Sequence, residues 1–540
     1  MLPPQIADSR GERLTTAAQP ILNDPSASLP ARTSSFIKGA GAGYLYQATA
    51  MLVGLLLTPF LLHRLGAQDY GLWLVGTQML GYLFLLDLGV TGLLSREVAY
   101  AVGREAGNRS SNDAPANREL PALVGRVIRI AMWQVPLLGM GALAIWLLNP
   151  GSWPQLRGPL AIVLAGFVLL FPARVLQGTL AGLQDLGFLN AAQTAAFLAT
   201  TAITIGLVLM GWRLYSLAIA WIAGQSLLAL IWAARVFLRY RYALPRRLLQ
   251  VRWPEARQYL GKSTWVTVTK IGDVLLSGTD LLLVGRFLGP GAVIAYACTG
   301  KLLLVLSNQP QMLMELALPG LSHMRFAESR ERTRQAFTAL SQGMLLMTGA
   351  IVSCVLLLNR SFVSWWVGKD LYAGTLLTAL LIASLLLRHW NLTLSGSVFC
   401  LGYERRIGIQ TLTDGVVSVV SAIVLLHFLG PIGVPLGNIA GACIVSVPAS
   451  LRVLSREMNT SIPRLLAPLA SWALRMAVML TAGSLLARSY MLHRFPLMAL
   501  AGAACLIVYA ALMAPLALRP PLSVYLRPLF GRLKRAAIGA

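Results

Sequence analysis

Residues 237–262, FLRYRYALPRRLLQVRWPEARQYLGK, set seven lysines and arginines among leucines, tyrosines and a tryptophan. The chain on either side is mostly apolar, so this stretch reads as a basic interruption between two hydrophobic halves. Six apolar stretches precede it, at roughly 37–62, 71–94, 127–148, 159–183, 188–210 and 214–236. Eight follow, at roughly 263–287, 291–318, 337–359, 374–401, 409–428, 432–452, 468–490 and 496–518. About 20 apolar residues in a helix cross the roughly 30 Å of bilayer hydrocarbon, and most of these stretches reach that length. The gaps between them alternate in charge. Every second gap, both termini included, together holds 28 Lys or Arg, and the intervening gaps hold 6. Basic loops resist translocation, so the rich gaps and both termini are expected in the cytoplasm.

Composition agrees. Hydrophobic residues make up 56% and charged residues 12% of the 540, which excludes a soluble globular domain. A net charge of +25 spread over many short loops forms no single basic domain, so it fits anionic lipid headgroups and not a nucleic acid. Trp153, Trp212, Trp365 and Trp366 sit in or beside outer gaps, where indoles anchor at the interface. The five cysteines (Cys298, Cys354, Cys400, Cys443, Cys505) lack CxxC spacing, so neither a metal nor a redox pair is expected. Residues 1–36 are polar and rich in Pro, Ser and Arg, without a cleavable signal peptide, and read as a flexible cytoplasmic tail.

The two halves echo each other. Arg64-Leu65-Gly66 is followed by Trp73 seven residues after the glycine, and Arg286-Phe287-Leu288-Gly289 by Tyr296 at the same distance. Gly182-Leu183-Gln184 is matched by Gly402-Tyr403-Glu404. The expectation is an all-α polytopic membrane protein of about 14 spans, with two parallel six-helix lobes related by an axis along the membrane normal and two added helices. Its parts are a tail (1–36), a first lobe (37–236), an amphipathic linker on the headgroups (237–262), a second lobe (263–452), an extra pair (453–518) and a basic tail (519–540).

Ionisable groups at membrane depth cost about 2.5–3.5 kcal/mol each on insertion scales, so they usually face water or a partner. Thr267, Lys270, Asp273, Ser277 and Asp280 recur on one side of a helix. Lys301, Asn308, Gln311 and Glu315 make a second stripe, kinked at Pro310, and Arg388, Asn391 and Ser395 a third. The first half offers Tyr44 with Gln47, Asp87, Arg174 with Gln177, and the row Asn190, Gln193, Thr194, Thr201 and Thr204. Each stripe also has a purely structural reading. Lys270 and Asp273 can neutralise each other, Asp280 and Arg286 can snorkel, and the hydroxyls can hold helices together.

The cations Arg174, Lys270, Lys301 and Arg388 suit a phosphate-bearing cargo, arginine as a bidentate fork and lysine as a point charge. A lipid-linked sugar diphosphate fits, with Tyr44, Gln47, Asn308 and Asn391 placed for sugar hydroxyls. Asp87, Asp273, Asp280 and Glu315 are candidates for coupling to H+ or Na+, and no other cofactor is expected. No nucleotide loop, metal-ligand cluster or nucleophile–His–Asp set appears, so the chain is not expected to be an enzyme. The alternatives are a drug or cation antiporter, which would favour an acidic cavity, and a membrane polysaccharide polymerase or ligase, which would favour a large outer loop.

LLLTPFLLHRLGAQDYGLW (55–73), LDLGVTGLLSREVA (86–99) and TDLLLVGRFLGPGAVIAY (279–296) resemble the signatures of bacterial polysaccharide and O-antigen flippases, in the multidrug/oligosaccharidyl-lipid/polysaccharide exporter superfamily. The likeness runs over roughly 36–450. It implies two six-helix lobes arranged as a V and transfer of an undecaprenyl-diphosphate-linked glycan from the cytoplasmic to the periplasmic leaflet by alternating access, often ion-coupled. The partners it implies are that glycan, membrane lipids, a polysaccharide polymerase and a chain-length regulator, with the flippase a monomer in the bacterial inner membrane. Two features depart from the family's core: fourteen stretches in place of twelve, and the long basic tail. The extra pair would form a lipid groove, as in peptidoglycan-precursor flippases, or pack on the outside.

Overall fold

The structure, a computed structural model, describes residues 29–87, 89–108, 119–148, 153–245, 253–327 and 330–525. Among them all regular structure is helical. First come α1 (Leu29–Leu83), α2 (Val90–Asn108), α3 (Glu119–Leu148), α4 (Pro154–Leu170), α5 (Arg174–Gly182), α6 (Leu186–Leu209) and α7 (Arg213–Arg239). Next are α8 (Trp253–Ser277), α9 (Asp280–Leu288), α10 (Pro290–Leu306), α11 (Asn308–Ala327), α12 (Arg330–Trp366) and α13 (Thr375–Cys400). The last are α14 (Glu404–Leu429), α15 (Gly433–Gly441), α16 (Val447–Glu457), α17 (Ile462–Ser489) and α18 (Phe495–Ala517).

Eleven helical runs among the described residues are long and apolar enough to cross a membrane. Two are too long for one crossing. Gly41–Asp87 has 47 residues and Glu404–Glu457 has 54. At about 1.5 Å per residue each exceeds twice the hydrocarbon thickness. The first breaks at Gly66, with φ 81°, and the second at Gly430, with φ 65°. Only glycine enters that left-handed region without a Cβ penalty, so each run becomes two spans. The α8–α9 segment, too polar to qualify on hydropathy, brings the total to about fourteen. The chain is an all-α polytopic membrane protein.

The expected repeat has a backbone counterpart. Gly66 (φ 81°, ψ 164°) and Gly289 (φ 89°, ψ 165°) adopt nearly the same conformation. The second pair of triplets is shifted. Leu183, Gln184 and Asp185 donate to the carbonyls of Thr179, Ala181 and Leu180, and Leu401, Gly402 and Tyr403 donate to those of Ser397, Phe399 and Val398. The partner of Gly402 is therefore Gln184, which also has positive φ, and not Gly182. Matching glycine to glycine slips the register by two, because the turn needs a left-handed residue and a non-glycine side chain occasionally takes that shape.

Other boundaries moved for local reasons. The tail expected over 1–36 is helical from Leu29. Residues 253–262 of the expected linker are the first turns of α8, while 246–252 lie outside the described residues, as do 1–28 and 526–540. The helix expected over 291–318 divides between Leu306 and Asn308. Pro310 has no N–H to give the Leu306 carbonyl, so the helix breaks one turn before it.

The chain forms two compact units. One comprises residues up to Leu57 with Leu86–Ser263, and the other Thr58–Leu85 with the chain from Thr264 onward. In the first, Leu180, Leu189, Trp232 and Val236 form a buried cluster. Asp185 closes it, accepting from Arg235 Nε at 2.9 Å and from Tyr240 Oη at 3.1 Å. In the second, α12 is the central element. Its Val352 and Val355 pack with Leu303 of α10 and Ile382 of α13, and its buried Asn359 amide donates to the Thr299 carbonyl at 2.9 Å. The extra helices α17 and α18 lie on α12 through Trp472, Tyr509 and Met513.

The tightest helix pair in this unit is α14 with α15. Gly433, Gly437 and Gly441, four residues apart, run along the α15 face toward α14. A Cβ on Gly437 would lie 2.5 Å from the backbone nitrogen of Ala422, and one on Gly433 would lie 2.7 Å from the Leu425 carbonyl oxygen. Small residues at this spacing let helix backbones touch, which replaces the hydrophobic driving force that lipid removes.

Candidate functional site

In the second unit the α8 stripe is built as its spacing requires up to Ser277. Lys270 Nζ lies 3.3 Å from Asp273 Oδ2, and Ser277 Oγ donates to the Asp273 carbonyl at 2.7 Å. The Lys270 and Asp273 side chains remain 65% and 46% exposed. Hydrocarbon would not tolerate that exposure, so this face of α8 needs water. Asp280 leaves the stripe. The helix ends at Ser277, and Asp280 opens α9 after a two-residue break, so the rotation that aligned it with Thr267 is interrupted.

Asp280 joins a different cluster. The Asn438 amide Nδ2 lies 3.4 Å from both of its carboxylate oxygens. The buried Tyr296 lies close to the same carboxylate, without a hydrogen bond to it. Asn438 also turns its backbone carbonyl toward Arg388, whose Nη2 donates to it at 2.6 Å.

Arg388 is held on several sides. Its Nη1 and Nη2 donate to Asp414 Oδ2 and Oδ1 at 2.6 and 3.0 Å, and Nη2 also donates to Ser418 Oγ at 3.0 Å. Ser446 Oγ donates to the same carboxylate. The side chains of Arg388 and Asp414 are 19% and 1% exposed. A guanidinium in a bidentate pair with a buried carboxylate is not free to grip a phosphate as well. Asp414, Ser418, Asn438 and Ser446 escape the sequence reading. The visible signal is Asp414 with Ser418, an acid and a hydroxyl one turn apart in an otherwise apolar run.

The rest of the second-unit set is spread out. Lys301 is half-buried on α10 and has no acidic partner among the described residues, with Cys298 as its titratable neighbour. Asn308 is exposed at the start of α11, and Glu315 lies on that helix with its side chain outside the described residues. Asn391 is half-buried, with Ser395 Oγ 3.5 Å from its side-chain oxygen. An open cavity of about 670 Å3 at the start of α14 is lined by Tyr403, Arg405, Arg406, Gln410 and Thr413. The Arg405 guanidinium lies over the Trp265 ring at 5.2 Å, and the Gln410 amide donates to Ser450 Oγ at 2.8 Å. In the sequence the two arginines read only as charges of a cytoplasmic gap.

In the first unit, Asp87 is buried in a short turn after α1, and Gln134 Nε2 donates to its backbone carbonyl at 2.9 Å. Arg174 opens α5 after the Phe171–Ala173 turn, within the electrostatic reach of Asp87. Tyr44 is exposed and Gln47 half-buried on α1. Thr194, Thr201 and Thr204 on α6 donate to carbonyls four residues back in their own helix. Asn190 approaches α1 at Gly43, where an added Cβ would lie 3.1 Å from its amide nitrogen.

Residues 152–370 match the family model described as polysaccharide biosynthesis protein. A structure titled lipid II flippase MurJ, in an inward closed conformation, superposes with a TM-score of 0.62 at 14% identity, covering 89% of this chain and all of that one. The chain has the fold of the MOP-superfamily transporters. An inward-facing multidrug-resistance MATE transporter of the MOP superfamily matches at TM-score 0.55 and 13% identity, over 77% of this chain and 96% of its own. A point mutant of the Vibrio cholerae MATE transporter VcmN matches at 0.51 and 16%, over 80% and 99%. No curated protein sequence matches the chain significantly. Because this fold hosts proteins titled as a lipid flippase and as multidrug transporters, fold alone does not choose a function.

Proposed function

We propose that this protein is a flippase that carries a lipid-diphosphate-linked oligosaccharide, a polysaccharide or O-antigen repeat unit, from the cytoplasmic to the periplasmic leaflet of the bacterial inner membrane by alternating access. Two observations support the cargo: the polysaccharide-biosynthesis match over 152–370, and the exposed Lys270–Asp273 pair on the polar stripe of α8. The stripe carries the reading, because a headgroup of sugars and phosphate needs a wet path through the hydrocarbon. In this proposal Lys270 and Lys301 meet phosphate, and Arg405 and Arg406 attract it at the cavity mouth. Arg388 serves to hold Asp414, and Asp280 and Asp87 are the carboxylates offered to a coupling H+ or Na+. Arg174, Tyr44, Gln47, Asn308 and Asn391 complete the cargo contacts, and no bond is made or broken in the cargo.

The likeness to multidrug transporters favours a second reading, an antiporter for cationic drugs. Proteoliposomes separate the two. Vesicles loaded with a fluorescent lipid-diphosphate oligosaccharide should show protein-dependent transfer between leaflets. Lys270→Gln should slow it about tenfold, the equivalent of about 1.4 kcal/mol. Expulsion of a cationic dye with no glycan transfer would replace the flippase with the antiporter.

A further inference from the structure

A second cavity, of about 520 Å3, opens where α12 and α17 begin and α18 ends. Its charged lining comes from the edges of three spans. Arg334 stands just after the start of α12, Arg464 just after the start of α17, and Arg519 two residues beyond the end of α18. Arg334 is matched, with Nη2 2.8 Å from Glu331 Oε1. Arg464 and Arg519 have no acidic partner among the described residues, so the cavity holds uncompensated positive charge.

Two further features point to a ligand. Gln342, only 5% exposed, lines the cavity, and its Oε1 accepts no hydrogen bond, although its Nε2 lies 3.5 Å from the Pro468 carbonyl. A buried acceptor left without a donor keeps its desolvation cost, so a hydroxyl arriving there would be stabilised. The buried Trp472 with Leu465 and Leu516 supplies an apolar wall on the side of the spans. Cations, an orphan acceptor and an apolar wall are the three kinds of group that the parts of a phospholipid would meet.

We propose that this cavity binds the headgroup of an anionic phospholipid of the cytoplasmic leaflet whose phosphodiester carries hydroxyls, as phosphatidylglycerol does. Arg464 and Arg519 take the phosphate oxygens, the glycerol hydroxyls reach Gln342 Oε1, and the first acyl methylenes lie on Trp472 and Leu516. The chain beyond Tyr525 is a poor occupant on charge alone, since residues 526–540 include Arg527, Arg532, Lys534 and Arg535 and no Asp or Glu. The site is separate from the cargo path proposed above and stands whether or not the protein moves a glycan.

Native mass spectrometry of the full-length protein in a neutral detergent tests it. Phosphatidylglycerol should bind at one site, at least tenfold more tightly than phosphatidylcholine. Arg464→Gln with Arg519→Gln should remove that difference while leaving the lipid-free melting temperature unchanged, because both side chains lie on the surface. Gln342→Leu should abolish the preference for phosphatidylglycerol over phosphatidic acid, which lacks the hydroxyls. Equal phosphatidylglycerol binding by wild type and the double variant would overturn the site. Stabilisation by inorganic phosphate as large as that by the lipid would overturn the lipid assignment.

Discussion

Arg388 presents one guanidinium to two competing claims, a phosphate from outside and Asp414 from within. The buried carboxylate holds it at 2.6 and 3.0 Å, with Ser418 and Asn438 taking further donors. Removing one member of such a pair strands the other charge. Arg388→Gln is therefore expected to lower stability by about 3–5 kcal/mol, and Arg388→Met with Asp414→Leu to recover most of it. Thermal unfolding in detergent measures both, and a single variant that melts like wild type would refute the assignment. That Arg388 is a membrane-depth cation on a polar stripe was legible in the sequence. Its partner was not, because periodicity assigns a helix face and is silent about which helix meets it. Outside the spans, Tyr240 donates to Asp185, and burial, then the Asp185 charge, push its phenol from 10.0 up to about 12. A raised phenol favours the folded state until the unfolded chain ionises. Stability should therefore fall as pH rises through the window from 10 to 12, and Tyr240→Phe should flatten that fall in alkaline melting curves.

At the scale of elements, glycine acts in two opposite ways. At Gly66, Gly289 and Gly430 it ends a helix by taking positive φ. At Gly433, Gly437 and Gly441 it continues α15 and admits a neighbour. The breaks were partly legible, since Leu-Gly recurred at matching distances in both halves. The ladder was not, because a GxxxG spacing looks the same whether a helix or lipid lies against it. Gly437→Leu should cost about 1–3 kcal/mol through overpacking against Ala422. Gly206→Ala on α6, where an added Cβ meets nothing within 4 Å, should instead gain up to about 1 kcal/mol from helix propensity. Paired melting temperatures of the two variants check this, and shifts of the same sign would contradict it. The α8–α9 break had no sequence signal beyond Ser277-Gly278, and it moved Asp280 from one polar row to another.

Across the whole molecule the charge pattern of the gaps carries the orientation. Twenty-eight Lys or Arg against six predict that the α14 start and both termini share one side and that the loop after α12 lies on the other. In a cysteine-free background, Lys369→Cys should react with an impermeant maleimide added outside cells, and Arg406→Cys only after lysis. The reverse pattern would invert the topology. Span number was legible because hydrocarbon thickness imposes it on any sequence, whereas pairings across tens of residues depend on packing that no single stretch records. The small-residue seam of α15 has a mechanical consequence as well. Backbones in direct touch have no side-chain cushion to shear, so α14 and α15 must travel as one rod. Any bending of this hairpin is left to its ends, the glycine turn at 430 and the π-helical turn at Ala442–Ser446, which sits directly after the last rung.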